Sequence, residues 1–296
     1  MKAKATVYVK SSMRKRSGIV MLVLMMSAAM VSWASTEEED SVIQLEGNFV
    51  QGGLLFGTAP VGSKVVWGGR EVRLTPKGEY VIGLGRDNRT PVMLRLETAD
   101  GKSQQQVFDI EQRDYKKQEI TGISKKIMSP SKEDLERIQK ENALIGKARR
   151  VNSDLTDFMT PFKWPLTGPI TGVFGSQRVY NGVPSRPHFG VDIAAPTGTP
   201  ARAPVGGVVT LAYDDMFYSG GTIMIDHGYG LNSSFLHLSR VLVKVGDPVS
   251  QGQVVGEVGA TGRVTGAHLD WRMNWYDQRV DPQLLVGAMP EAANSK

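Results

Sequence analysis

His188-Phe189-Gly190-Val191-Asp192-Ile193-Ala194-Ala195-Pro196 is the stretch on which the reading of this chain turns. It sets an imidazole and a carboxylate four residues apart at the start of a β-branched run. In an extended strand such residues share a face, so both groups can converge on one ion where the strand bends. Taken alone, the pair equally fits a histidine hydrogen-bonded to an aspartate near a turn.

Further along, His268-Leu269-Asp270 repeats the theme at a period of two, which puts His268 and Asp270 on one face and Leu269 on the other. In Phe235-Leu236-His237-Leu238 the alternation sends His237 opposite the apolar pair Leu236 and Leu238. All four histidines fall between His188 and His268, and the chain contains no cysteine. A metal site here must therefore use His, Asp or Glu. His227, in Ile225-Asp226-His227-Gly228, precedes a turn and reads as structural or supporting. Trp271, Trp275 and Tyr276 read as core before groove lining.

Several motifs in fixed order carry a family resemblance. They are the stretch 188–196, then Gly198-Thr199-Pro200, Ile225-Asp226-His227-Gly228, His237-Leu238-Ser239, Gly246-Asp247-Pro248-Val249, Thr261-Gly262 and His268-Leu269. Between about Trp164 and Leu285 the chain resembles the LytM or lysostaphin type of zinc metallopeptidase, the M23 peptidase family. The resemblance implies zinc as cofactor, His188 and Asp192 as metal ligands, and His237 and His268 as the catalytic pair that positions water and stabilises a developing oxyanion. The family's third ligand is the second His of a His-x-His motif, and here that position is Asp270. A carboxylate is an acceptable zinc ligand. Two carboxylates make the site formally neutral, which predicts a weaker Lewis acid and slower hydrolysis. Phe235 stands where the family commonly has Tyr.

The rest of the chain organises around this region. Residues 1–34 carry six Lys or Arg and no acidic residue, then an apolar run from Gly18 to Val31 ending in Ser32-Trp33-Ala34. This reads as a secretory signal peptide cleaved after Ala34, which implies an exported protein of the periplasm or cell envelope, tied to the membrane only if the signal stays uncleaved. Without it the balance is 29 basic against 30 acidic residues, so the footprint of a nucleic-acid binder is missing. Residues 41–125 show short apolar runs broken by Gly and turn residues, the pattern of a small N-terminal β-sandwich-like domain. Ser131 reads as the N-cap of a helix running to Ala148 within a helical linker, 131–157, whose sparse apolar positions suggest an exposed connector. Residues 158–290 form the expected M23-type peptidase domain, with strands at Gly207 to Ala212, Thr222 to Asp226 and Gln253 to Val258. The expected class is mainly β.

The resemblance implies a zinc-dependent peptidoglycan endopeptidase that cuts peptide cross-bridges or stem peptides, with peptidoglycan peptides and other cell-wall enzymes as partners. The alternative is a catalytically weak or inactive LytM-like module that regulates a separate cell-wall amidase.

Overall fold

Short strands with one apolar face build the first part of the chain. β1 (Gln44–Gly47), β2 (Leu54–Thr58) and β5 (Glu79–Gly83) pair in the order β1-β2-β5. β3 (Lys64–Trp67), β4 (Arg70–Val72), β6 (Val92–Glu97) and β7 (Ser103–Phe108) pair in the order β4-β3-β6-β7. In β6 the period of two is explicit: Leu94 and Leu96 are buried, whereas Met93, Arg95 and Glu97 are exposed. The computed structural model describes residues 43–88, 91–121 and 130–290, and these belong to one compact unit beginning at Ile43. The proposed signal segment, 1–34, lies outside the described residues.

β8 (Lys117–Ile120) runs parallel to β10 (Gln177–Tyr180), which forms a hairpin with β11 (Val183–Pro184). This small sheet fixes the approach to His188. Its neighbourhood is pinned further by Arg86, whose Nε and Nη2 donate to the Gly175 carbonyl at 3.2 and 2.7 Å. Gly175 has φ 83°, and a Cβ there would meet the Tyr115 ring at 1.9 Å, so only glycine permits this approach. The backbone of His188 is held in turn by Ser176 and Gly175, at 2.8 Å each.

α1 (Lys132–Arg149) begins as expected at Ser131, in a capping box with Asp134. Leu135 and Leu144 are exposed, as the sparse patterning implied. The helix nevertheless docks on the large sheet rather than standing free. Ala148 and Ile145 pack against Leu211, Met216 and Met224, and buried Glu141 accepts the Phe217 amide at 2.8 Å. A narrow stripe of Glu141, Ile145 and Ala148 thus replaces the broad apolar stripe that sequence patterning looks for.

The large sheet follows the order β17-β14-β15-β16-β19-β12-β9. Its strands are β9 (Ile170–Gly172), β12 (Gly190–Ala194), β14 (Gly207–Met216), β15 (Gly220–Asp226), β16 (Leu231–Val241), β17 (Pro248–Val249) and β19 (His268–Trp275). β13 (Pro200–Arg202) pairs with β18 (Val254–Val258), which joins β16, and β20 (Gln278–Val280) joins β19. α2 (Gln283–Val286) follows. All of β15 and Leu231 to Leu238 of β16 are buried, as expected for central strands covered on both faces.

The register separates two faces. Val191, Trp271, Phe235 and Ile223 stand opposite one another across four strands and are fully buried on one side. The opposite face carries a row of Gly190, Arg272, Ser234, Met224 and Leu211, and beside it Asp192, Asp270 and Leu236. The mainly β class and the β-sandwich-like first part agree with expectation.

Candidate metal centre

Neighbouring strands bring the carboxylates together. Asp192 of β12 is the direct antiparallel partner of Asp270 of β19, so both side chains rise from the same face. Glycine makes the room: a Cβ on Gly172 would lie 2.1 Å from Asp192 Oδ2, and one on Gly190 would lie 2.5 Å from Asp270 Oδ1. His188, just before β12, completes a group whose donor atoms all lie within 4.8 Å of one another: His188, Asp192 and Asp270.

These residues fit a metal ion. His188 Nε2 and Asp192 Oδ1 are buried, lack a hydrogen-bond partner, and stand 3.2 Å apart without the alignment of a hydrogen bond. Zinc bonds of ~2.0–2.1 Å in tetrahedral geometry would set two ligand atoms roughly 3.3 Å apart. Two orphaned donors at that spacing are costly unless something lies between them. Burial disfavours the His188 cation, but the Asp192 and Asp270 carboxylates outweigh it and raise its pKa.

Asp270 has a partner that the sequence reading missed. Arg272 Nε donates to both of its oxygens, at 2.9 and 3.0 Å, and Nη2 adds a further bond to Oδ2. Burial pushes the Asp270 carboxyl up, yet the Arg272 charge and these bonds hold it well below the usual carboxylate range. The formal neutrality expected from two carboxylates is therefore corrected, because a guanidinium belongs to the same cluster. The signal was present: Asp270 and Arg272 are two apart on one strand, so they had to share a face.

His237 and His268 stand beside this group with ring centroids 4.9 Å apart. His237 Nδ1 donates to the Thr261 carbonyl at 3.0 Å, and His268 Nδ1 to the Gly266 carbonyl at 2.9 Å. A carbonyl can only accept, so each ring holds a proton on Nδ1, and its neutral form leaves Nε2 as the acceptor. His268 Nε2 lies 3.8 Å from Asp192 Oδ1. Burial pushes the His237 pKa down, ahead of the opposing pull of Asp270, so the ring is neutral near pH 7.

His237 reaches this face by breaking the alternation of its strand. Leu236 is the partner of Asp270, so strict alternation would point His237 to the other side, with Phe235. Instead His237 takes φ 66°, a left-handed conformation that costs a non-glycine residue about 1–2 kcal/mol. Thr261 stabilises the turn: its hydroxyl donates to the Leu238 carbonyl at 2.7 Å and accepts the Gly221 amide at 3.0 Å.

His227 lies apart. It is fully buried, with Nδ1 donating to the Gly206 carbonyl at 2.7 Å and Nε2 accepting from Ser233, whose register places it on the opposite face. Trp271 and Trp275 are core residues, and Phe235 is buried opposite the site.

Convergent metal donors with two imidazoles on a sheet floor are an arrangement suited to metal-assisted hydrolysis. A profile of Peptidase family M23 matches residues 186–282. The crystal structure of a putative peptidase M23 from Pseudomonas aeruginosa is similar at 32% identity and TM-score 0.63, over 81% of this chain and 95% of that one. The chain belongs to peptidase family M23. Among curated relatives, the peptidoglycan DD-endopeptidase ShyA of Vibrio cholerae is 45% identical over 87 residues, 29% of this chain and 20% of that protein. The DD-carboxypeptidase/endopeptidase Mpg of Neisseria meningitidis is 41% identical over 106 residues, 36% and 24% of the two chains. The matches thus span about a fifth to a quarter of the length of these relatives.

Proposed function

We propose that this protein is a zinc-dependent endopeptidase of the cell envelope that hydrolyses peptide bonds in peptidoglycan cross-bridges or stem peptides. The observation that carries the proposal is the convergence of the orphaned His188 Nε2 and Asp192 Oδ1 with Asp270, beside two acceptor imidazoles. His188, Asp192 and Asp270 would hold zinc, which when bound supplies a Lewis acid for the scissile carbonyl. Arg272 orients Asp270 and offsets its charge. His237 and His268 receive and return the proton through Nε2, their tautomers fixed by Thr261 and Gly266. In this reading residues 1–34 export the chain, 41–125 form an N-terminal β domain, 131–157 link it, and 158–290 carry the chemistry. The names of the curated relatives support peptidoglycan as the substrate.

One observation favours a second reading. Arg272 already occupies both oxygens of Asp270, which would weaken it as a ligand and suit a metal-free regulator of a cell-wall amidase. Metal content of the purified chain, measured with peptidoglycan digestion and compared with Asp270→Ala, separates the two. Stoichiometric zinc, lost in the variant together with digestion, supports the enzyme. A metal-free protein that digests nothing supports the regulator.

A further inference from the structure

Three more arginines gather near Arg272, and among the described residues none of the three makes an ion pair with a carboxylate. Arg186 and Arg279 both stand against the Phe189 ring, their guanidinium carbons 5.5 and 5.3 Å from its centroid. Phe189 follows His188 directly, so this pair sits at the edge of the metal-donor group. Arg279 is the strand partner of Asn274 and donates to its Oδ1 at 2.9 Å, which aims it from the face that bears Arg272. Arg149 arrives from α1. It follows Ala148, which packs on Met224, and Met224 shares its row with Ser234 and Arg272. Its Nε is buried without a hydrogen-bond partner.

We propose that Arg149, Arg186 and Arg279 form an anion subsite beside the metal centre and receive a carboxylate of the bound peptide, from its C-terminus or an acidic side chain. Among the described residues these three have no ion pair, whereas Asp192 and Asp270 are engaged in the metal-donor group. A planar guanidinium fork matches a carboxylate in two bonds, and two of them on one aromatic ring with a third close by leave a place that a single anion would neutralise. The electrostatics agree with the geometry. Burial, then Arg186 and Arg272, lowers Arg149 to about 10. Burial, then Arg149, Arg272 and Arg186, lowers Arg279 to about 8, against a smaller opposing pull from Asp270. Each would be relieved by a counter-ion.

The inference rests on the peptide reading above, and the test keeps the two apart. The full chain, supplied with zinc, is titrated with the peptide Ala-Glu-Lys-Ala as free acid, as its C-terminal amide, and with Gln for Glu, and separately with acetate. Arginine Nε–Hε resonances and calorimetry are the readouts. The expected result is at least tenfold weaker binding when the relevant carboxylate is neutralised, and equal binding of acid and neutral peptides by Arg186→Gln and by Arg279→Gln. Arg186 is exposed, so its variant tests the site without risk to folding. Which peptide loses affinity shows whether the C-terminus or the side chain is read. If no peptide binds but acetate shifts the Arg149, Arg186 and Arg279 signals, the anion subsite stands and the peptide reading falls. If acid and neutral peptides bind the wild type alike, if both variants keep the discrimination, or if neither peptide nor acetate acts, the subsite is refuted.

Discussion

Arg272 closes on Asp270 from two residues away on the same strand, donating from Nε to both carboxylate oxygens at 2.9 and 3.0 Å. The pair is almost out of water, with Asp270 3% and Arg272 26% exposed in their side chains. Removing one partner of such a pair leaves a buried charge, at a cost of about 3–5 kcal/mol. Arg272→Ala should therefore destabilise the metal-free protein by roughly that amount. Saturating zinc should restore part of the loss, because a cation at His188, Asp192 and Asp270 would take over the neutralisation. Unfolding with and without zinc checks this, and a loss that zinc leaves untouched would argue against Asp270 as a ligand.

Gly190 decides whether the dyad fits. A Cβ at this position would stand 2.5 Å from Asp270 Oδ1, 2.6 Å from Arg272 Cγ and 2.6 Å from the Trp271 carbonyl. Gly190→Ala should cost about 1–3 kcal/mol through overpacking and should weaken zinc binding more than tenfold by displacing Asp270. Denaturant unfolding and zinc competition titration measure the two effects separately. Unchanged zinc affinity would place the donors less tightly than the geometry implies.

His237 is outside the metal-donor group in this geometry, yet it stands beside His268 with ring centroids 4.9 Å apart. His237→Ala should retain zinc and lose peptidoglycan digestion by about 10²–10⁴-fold, the range for a general acid or base. Zinc lost along with activity would instead make His237 part of the metal-binding structure.

His227 makes stability depend on pH. Burial pushes its pKa down to about 4, from an ordinary value near 6.5 when unfolded. Above pH 6.5 both states hold the neutral ring and stability is fully present. As pH falls from 6.5 toward 4 the unfolded chain binds a proton that the native ring refuses, so stability drops by about 1.4 kcal/mol per pH unit and ~3 kcal/mol in all. Urea unfolding at pH 7.5, 5.5 and 4.5 measures the slope. His227→Gln should flatten it, and an equal slope in the variant would assign the dependence to other groups.

The chain's order of residues was enough for much of this site. The spacing of His268 and Asp270 decided that these two side chains share a face, because strand geometry alternates regardless of what surrounds it, and His188 joins them from just before β12. Ser131 and Asp134 likewise announced the helix start through a purely local exchange of hydrogen bonds. Even Arg272 was within reach of that logic.

What the sequence could not yield depends on partners distant along the chain. His237 crosses to the face of Asp192 and Asp270 only because its backbone turns left-handed against Thr261, overriding the alternation that would have hidden it with Phe235. α1 docks because Glu141 meets the Phe217 amide and Ala148 meets Met224, contacts that no apolar stripe foretells. The meeting of Arg186 and Arg279 at Phe189, with Arg149 close by, arises from a loop, an edge strand and a helix end that come together only when the sheet is assembled. Local spacing sets faces, whereas the pairing of strands and the docking of the helix set which faces meet.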